Sequence, residues 1–219
     1  RVYAVDLRNH GNSPWTDDMD YGAMAEDLAG FLDDRGLERA SLIGHSLGGK
    51  TAMTLALEQP ARVERLIVVD IAPVPYQESL LGYVDAAADV QLEGVTRRAE
   101  VDEDLSGLIP DPWIRQFILM NLEPADGGLR WRLNLAALQR AATPLTDFKP
   151  RRREPFAGPT LFVAGGRSDF IRRTYHPALF ALFPNAELVE VADAGHEVHA
   201  EQPERFLEAV RGFLDRHRS

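Results

Sequence analysis

The chain has 219 residues, with 24 Lys+Arg against 34 Asp+Glu for a formal net charge of −10, 45% hydrophobic residues and no cysteine. That length can bury a sizeable core without staples, and the lack of cysteine excludes a disulfide framework, a thiolate zinc cluster and a redox-active thiol. So acidic a chain repels phosphate backbones and anionic lipid, which excludes nucleic acid as an expected partner; the basic run Arg151-Arg152-Arg153 reads as a solvated turn in a Pro-flanked linker.

Val2–Leu7 is an apolar, strand-like run, and Tyr21–Asp34 follows as a helix with Met24, Leu28, Phe31 and Leu32 at three- and four-residue spacing. Next come a strand at Ser41–Gly44, a helix over Leu47–Glu58 halted before Pro60, and a strand at Leu66–Val69 leading into Asp70. Strands joined through helices run parallel, because a crossover must return the chain to the same edge of the sheet. Leu66–Val74, interrupted by Asp70 and Pro73, falls far short of the ~20 apolar residues that span a bilayer, so no membrane span is expected.

After Pro73 the rhythm changes. Leu80–Ala88, Val95–Leu108, Asp111–Asn121 and Asn134–Ala142 read as helices, and Leu129–Leu133 is the single candidate strand. Asp111-Pro112 is a helix start, an N-cap carboxylate before a first-turn proline, and Trp113, Ile114, Phe117, Ile118 and Leu122 form an apolar stripe behind it. Asp126-Gly127-Gly128 marks a turn. The α/β rhythm resumes with strand Thr160–Ala164, helix Pro177–Phe183, strand Glu187–Val191 and an amphipathic helix over Pro203–His217. The division expected is an α/β core over residues 1–72, a helical insertion over 73–155, and the core continued over 156–219.

Gly44-His45-Ser46-Leu47-Gly48 matches G-x-S-x-G between an apolar strand and a helix. Two glycines allow a strained strand-to-helix turn to close, which presents Ser46 Oγ above the strand ends and aims the Leu47 amide at the same space. That amide, at the positive end of a helix, is an oxyanion donor. A serine hydroxyl needs a base, and His196, between the last strand and the last helix, is the best placed of six histidines. His199 is expected to turn elsewhere and His45 to point away from the nucleophile; His10, His176 and His217 read as turn, helix-start and surface residues. The imidazole needs a carboxylate, and Asp70 and Asp169 both follow core strands and both keep the order Ser, Asp, His. Spacing does not choose between them.

These residues resemble the α/β-hydrolase superfamily over essentially the whole chain. Asp6 to Pro14, Gly44 to Met53, Val69 to Pro73, Asn134-Leu135 and Gly195 to Glu201 resemble one branch, the small bacterial acyl-ester and thioester hydrolases and a related mitochondrial α/β-hydrolase-domain protein. The resemblance implies an α/β-hydrolase fold, a mostly parallel sheet flanked by helices, with 73–155 as a helical cap or lid. It implies Asp70 as the acid and Ser168 as a fourth member of the site; Asp169 is a departure, standing where such relatives need no acid, and is expected to help orient His196. It also implies that a strand and a His-Gly loop with a second oxyanion amide precede Val2; they are absent from these residues, and the expectation is an N-terminally truncated chain.

The function expected is a serine esterase of carboxylic esters, with acyl thioesters as a second substrate class, using an acyl-enzyme on Ser46 and no metal or cofactor. Tyr76, Tyr83, Trp113 and Phe117, with Leu80, Leu81, Met120 and Trp131, are candidate acyl-pocket walls, although each also suits the insertion's own core. The rival expectations are another activity of the fold, a C–C bond hydrolase or cofactor-free haloperoxidase, or a non-catalytic ligand-binding homologue. A cytoplasmic location is the expectation; the lack of a leader does not carry it, since a signal or transit peptide would belong to the segment missing before Arg1.

Overall fold

The structure is a computed structural model that describes residues 1–76, 81–152 and 154–218, with the backbone alone of Leu81. In chain order its elements are α1 (Tyr21–Asp34), β1 (Ala40–His45), α2 (Leu47–Glu58), β2 (Val63–Val69), α3 (Leu81–Asp89), α4 (Arg98–Ser106), α5 (Pro112–Leu119), β3 (Leu122–Ala125), β4 (Gly128–Trp131), α6 (Leu135–Arg140), α7 (Ala142–Thr146), β5 (Thr160–Gly165), α8 (His176–Leu182), β6 (Ala186–Val191), α9 (Val198–Glu201) and α10 (Pro203–Arg216). They fall into two compact units, one made of Tyr21–Pro75 with Asp147–Ser219, the other of Arg1–Asp20 with Tyr76–Thr146.

The first unit is built on a four-stranded parallel sheet in the order β1-β2-β5-β6. Its inner strands read as continuous apolar runs because both faces are covered: every residue of β5 is buried, as are Leu66 to Val69 of β2. Alternation along the strands sorts these side chains between two layers. Ile67, Val69, Leu161 and Val163 pack with Val198 of α9 and with Val210 and Phe213 of α10. On the opposite face Val68 approaches Gly49 of α2, and Phe162 meets the ring of Phe183 edge-on at 5.6 Å. Truncating a buried aromatic such as Phe162 removes about 3–5 kcal/mol of stability. Because all four strands run the same way, the loops after β1, β2, β5 and β6 leave one edge of the sheet together.

In the second unit, α3, α4 and α5 bury Ala86, Ala87, Val101, Leu105, Ile118 and Leu119 with Ile109 of the α4–α5 loop and Leu122 of β3. Asp111 caps α5 by accepting from the Trp113 amide at 2.8 Å, and Asn134 caps α6 by accepting from the Ala137 amide. β4 pairs antiparallel with β3 across the two-residue turn Asp126-Gly127. β3 has no strand signature of its own, because Leu122-Glu123-Pro124-Ala125 is short, contains proline and gains its identity from the partner strand.

Two further expectations change. Residues 2–7 form no strand: a strand requires a ladder partner, and the Leu7 and Asp6 carbonyls instead accept from the His10 amide and the Ser13 hydroxyl in a turn. The apolar stripe of α5 also splits. Ile118 is core and Ile114 packs against it, whereas Trp113 and Phe117 are 55% and 46% exposed. Among the described residues no helix is long and apolar enough to cross a membrane.

Candidate active site

At the end of β1 the chain turns sharply into α2 through Ser46, whose φ of 49° and ψ of −114° lie in a region that side-chain-bearing residues rarely adopt. Such a backbone costs about 1–3 kcal/mol and persists where the surroundings hold it. Here the Ser46 amide donates to the Val69 carbonyl on the neighbouring strand, and the Ser46 carbonyl accepts from Lys50 in the first turn of α2. The turn needs glycine for space at Gly44, where a Cβ would lie 2.3 Å from the Gly48 carbonyl oxygen. A Cβ at Gly48 would meet nothing, so the second glycine of the motif is not what lets the turn close; the next close approach is at Gly49. The Leu47 amide opens α2 and belongs to the first-turn amides that lack an intrahelical partner.

The loop after β2 begins with Asp70, fully buried and also at positive φ, 48°. Its amide donates to Val163 of β5, which fixes the residue beside the adjacent strand. Each carboxylate oxygen is occupied. Oδ1 accepts from the Gly165 amide at 2.9 Å, and Oδ2 accepts from His196 Nδ1 at 2.8 Å and from the Ser168 hydroxyl. Since a carboxylate oxygen accepts, Nδ1 carries the ring hydrogen and Nε2 of a neutral His196 is left with its lone pair. That Nε2 is buried and has no hydrogen-bond partner. A buried polar atom without a partner is costly, so its unfilled hydrogen-bonding role calls for an explanation.

The loop carrying His196 is seated by contacts that sequence reasoning missed. Phe170 stacks against the imidazole with ring centroids 4.1 Å apart, and its amide donates to Ser168 Oγ. Glu201 accepts from the Gly195 amide and from Arg167, tying the loop after β6 to the loop after β5. Gly165 lacks the Cβ that would fall 2.1 Å from the Gly195 carbonyl, so the two loops can touch. Glycine at the end of an apolar strand was the available signal for this close approach; nothing local distinguished Phe170.

Asp169 is not brought to His196. Ser168 turns its hydroxyl inward to Asp70, the next side chain points outward, and Asp169 is 79% exposed in a surface pair with Arg172 at 3.0 Å. Among the described residues the carboxylate bonded to the His196 ring is that of Asp70, and Asp169 pairs with Arg172 instead. His45 is closer to the site than expected. Its ring lies 4.5 Å from that of His196, and its Nε2 donates to the His196 carbonyl at 2.9 Å. Burial first, then the neighbouring His196 and His199 rings, push the His45 pKa down to about 3, so this ring stays neutral.

Lys50, in the first turn of α2, is the other unusual group. Its side chain is 2% exposed, donates to the Asp147 carbonyl at 3.2 Å and lies near the rings of Tyr21 and Phe148. Burial pushes its pKa down to about 8.

In the second unit the expected pocket walls diverge. Tyr83 and Trp131 pack against that unit's core, Tyr76 donates its amide to the Thr146 carbonyl, and Trp113, Phe117 and Met120 are exposed. Leu80 and the side chain of Leu81 lie outside the described residues.

Comparison with known proteins agrees with this architecture. The chain is 43% identical over 220 residues to the sn-1-specific diacylglycerol lipase ABHD11 of Mus musculus, covering 98% of this chain and 71% of that protein. It is 34% identical over 215 residues to esterase YbfF of Escherichia coli K12, covering 98% and 82%. Among solved structures, a marine microorganism esterase superposes with a TM-score of 0.91 at 37% identity, covering 95% of this chain and 83% of that one. The model of the alpha/beta hydrolase family matches residues 1–209. A match of that extent, on a parallel sheet whose strand ends carry a strained serine turn and a histidine bonded to a buried aspartate, means that the chain belongs to the alpha/beta hydrolase family.

Proposed function

We propose that the chain is a serine esterase in which Ser46 is the nucleophile, His196 the general base and acid, and Asp70 the carboxylate that orients and stabilises the imidazole. The observation that carries this reading is the state of His196, with Nδ1 bonded to a fully buried carboxylate and Nε2 buried without a partner. The names of the relatives, esterases and a lipase, support the reaction class.

In this mechanism Nε2 takes the Ser46 proton as Oγ attacks the ester carbonyl. The Leu47 amide donates to the oxyanion, and the resulting imidazolium is stabilised by Asp70. Collapse expels the alcohol, which leaves with the proton from Nε2. Water, activated by the same nitrogen, then attacks the acyl-enzyme and releases the acid and Ser46. No step draws on a cofactor or metal.

Ser168 and the Gly165 amide act on Asp70, holding both oxygens so that one faces Nδ1. Carboxylic esters are the proposed substrates, with acyl thioesters as a second class.

A fluorophosphonate probe tests the assignment. The protein is expected to take one label, located at Ser46 by peptide mass spectrometry, and to lose both label and p-nitrophenyl ester hydrolysis on Ser46→Ala. Hydrolysis that persists without a label on Ser46 would remove the serine mechanism, and absence of both label and turnover would put ligand binding in its place.

A further inference from the structure

Behind His196 lies a second group of side chains that the ester chemistry does not use. Nδ1 of His45 is 3.9 Å from Oε2 of Glu197, and Nε2 of His199 is 3.7 Å from the same oxygen. All three potential ligand atoms fall within 4.8 Å of one another. We propose that His45, Glu197 and His199 form a binding site for a divalent transition ion of the zinc(II) class.

Four observations carry this. First, the spacing is close to what coordination needs. Metal–ligand bonds of about 2.0–2.1 Å in a tetrahedron put the ligand atoms about 3.3 Å apart, close to the 3.9 and 3.7 Å that separate the Glu197 oxygen from the two imidazole nitrogens. Second, the hydrogen bond of His45 selects the right nitrogen. A carbonyl oxygen can only accept, so Nε2–H of His45 is committed to the His196 carbonyl, and Nδ1, facing Glu197, is the atom left to offer a lone pair. A metal-binding histidine typically has its other ring nitrogen held in this way by a backbone carbonyl. Third, the charge is unbalanced. The Glu197 side chain is mostly buried, and among the described residues it faces these two imidazoles and no lysine or arginine. Fourth, the donor set of two imidazoles and one carboxylate suits zinc, cobalt, nickel or copper rather than calcium or magnesium, and water would complete the tetrahedron.

The site joins the residue before Ser46 to the turn after His196. An ion held there would clamp the His196 loop against the end of β1 through the His45–His196 contact. It is separate from the acyl-transfer groups, so its failure leaves the esterase reading intact, and the reverse also holds.

The test is direct binding to the full chain. Calorimetry with zinc chloride is expected to show one equivalent bound, calcium and magnesium chloride to show none, and cobalt(II) to develop the visible bands of a tetrahedral nitrogen–oxygen site. His199→Ala removes an exposed ligand from a short helix and is expected to leave folding and basal ester hydrolysis unchanged. It should weaken zinc binding by more than the ~10–100-fold that loss of an outer partner costs. Glu197→Gln is the second variant, with the same loss expected, and circular dichroism confirms that both remain folded. Absence of stoichiometric zinc binding overturns the proposal. So does binding that both variants retain at wild-type affinity, including binding that disappears only on His196→Ala, which would place the ion on the free Nε2.

Discussion

Asp70 and His196 are 126 residues apart in the chain and 2.8 Å apart in space, through Oδ2 and Nδ1. The other candidate carboxylate, Asp169, starts from the loop after the neighbouring strand and ends in solvent beside Arg172. If the orienting carboxylate is Asp70, Asp70→Asn lowers kcat by about 10⁴, because an amide cannot hold the imidazole in the working tautomer. Asp169→Asn should stay within a few-fold of wild type, as an exposed pair contributes little. Steady-state kinetics on an activated ester measures both. A larger loss at Asp169 reverses the assignment.

The two glycines of the serine turn are predicted to differ. A methyl at Gly44 meets the backbone of Gly48 and Gly49 within 2.3–2.6 Å, and backbone there cannot yield without moving α2. Gly44→Ala is expected to destabilise by at least about 1–3 kcal/mol. At Gly48 the methyl enters open space within a helix, where replacing glycine is worth up to ~1 kcal/mol in the other direction. Urea unfolding midpoints decide this, and equal midpoints for the two variants contradict it.

Lys50 makes stability depend on pH in a defined direction. Burial lowers its folded pKa from the ordinary 10.5 to about 8. Below pH 8 both folded and unfolded chains carry the proton, and the folded state bears the full penalty of the buried ammonium. Between pH 8 and 10.5 the folded chain has lost a proton that the unfolded chain keeps, so this residue's contribution to stability rises with pH; above 10.5 the penalty is gone. Lys50→Met removes the group. The unfolding free energy of the variant minus that of wild type should therefore fall by roughly 3 kcal/mol between pH 7 and pH 10.5, from a lowering of about 2.5 units. Taking the difference cancels the other titrating groups, and a difference that does not change with pH rejects the explanation.

Local signals located much of the scaffold. The span of α1 follows from Met24, Phe31 and Leu32 at helical spacing, and α2 ends at Glu58 because Pro60 cannot continue it; both helices have the boundaries the pattern predicts. Strands were legible where both faces are buried, as in β2 and β5. They were not where identity depends on a partner: Val2–Leu7 has the composition of a strand and no ladder, while β3 has a ladder and no strand composition.

By itself the sequence determined the serine turn, since glycine, serine and the following helix are all local, and it narrowed the acid to two carboxylates at the ends of core strands. Only the tertiary structure decided which of them meets His196. The pairing of Val69 with Val163 brings both loops to the same edge of the sheet, so strand order cannot separate them. The choice rests on backbone direction: Asp70, at positive φ, lies in the interior, whereas the chain bends at Asp169 and leaves that side chain in water beside Arg172. The grouping of His45 with Glu197 and His199 has the same origin, because side chains some 150 residues apart become neighbours through the packing of parallel strand ends, which no local pattern records.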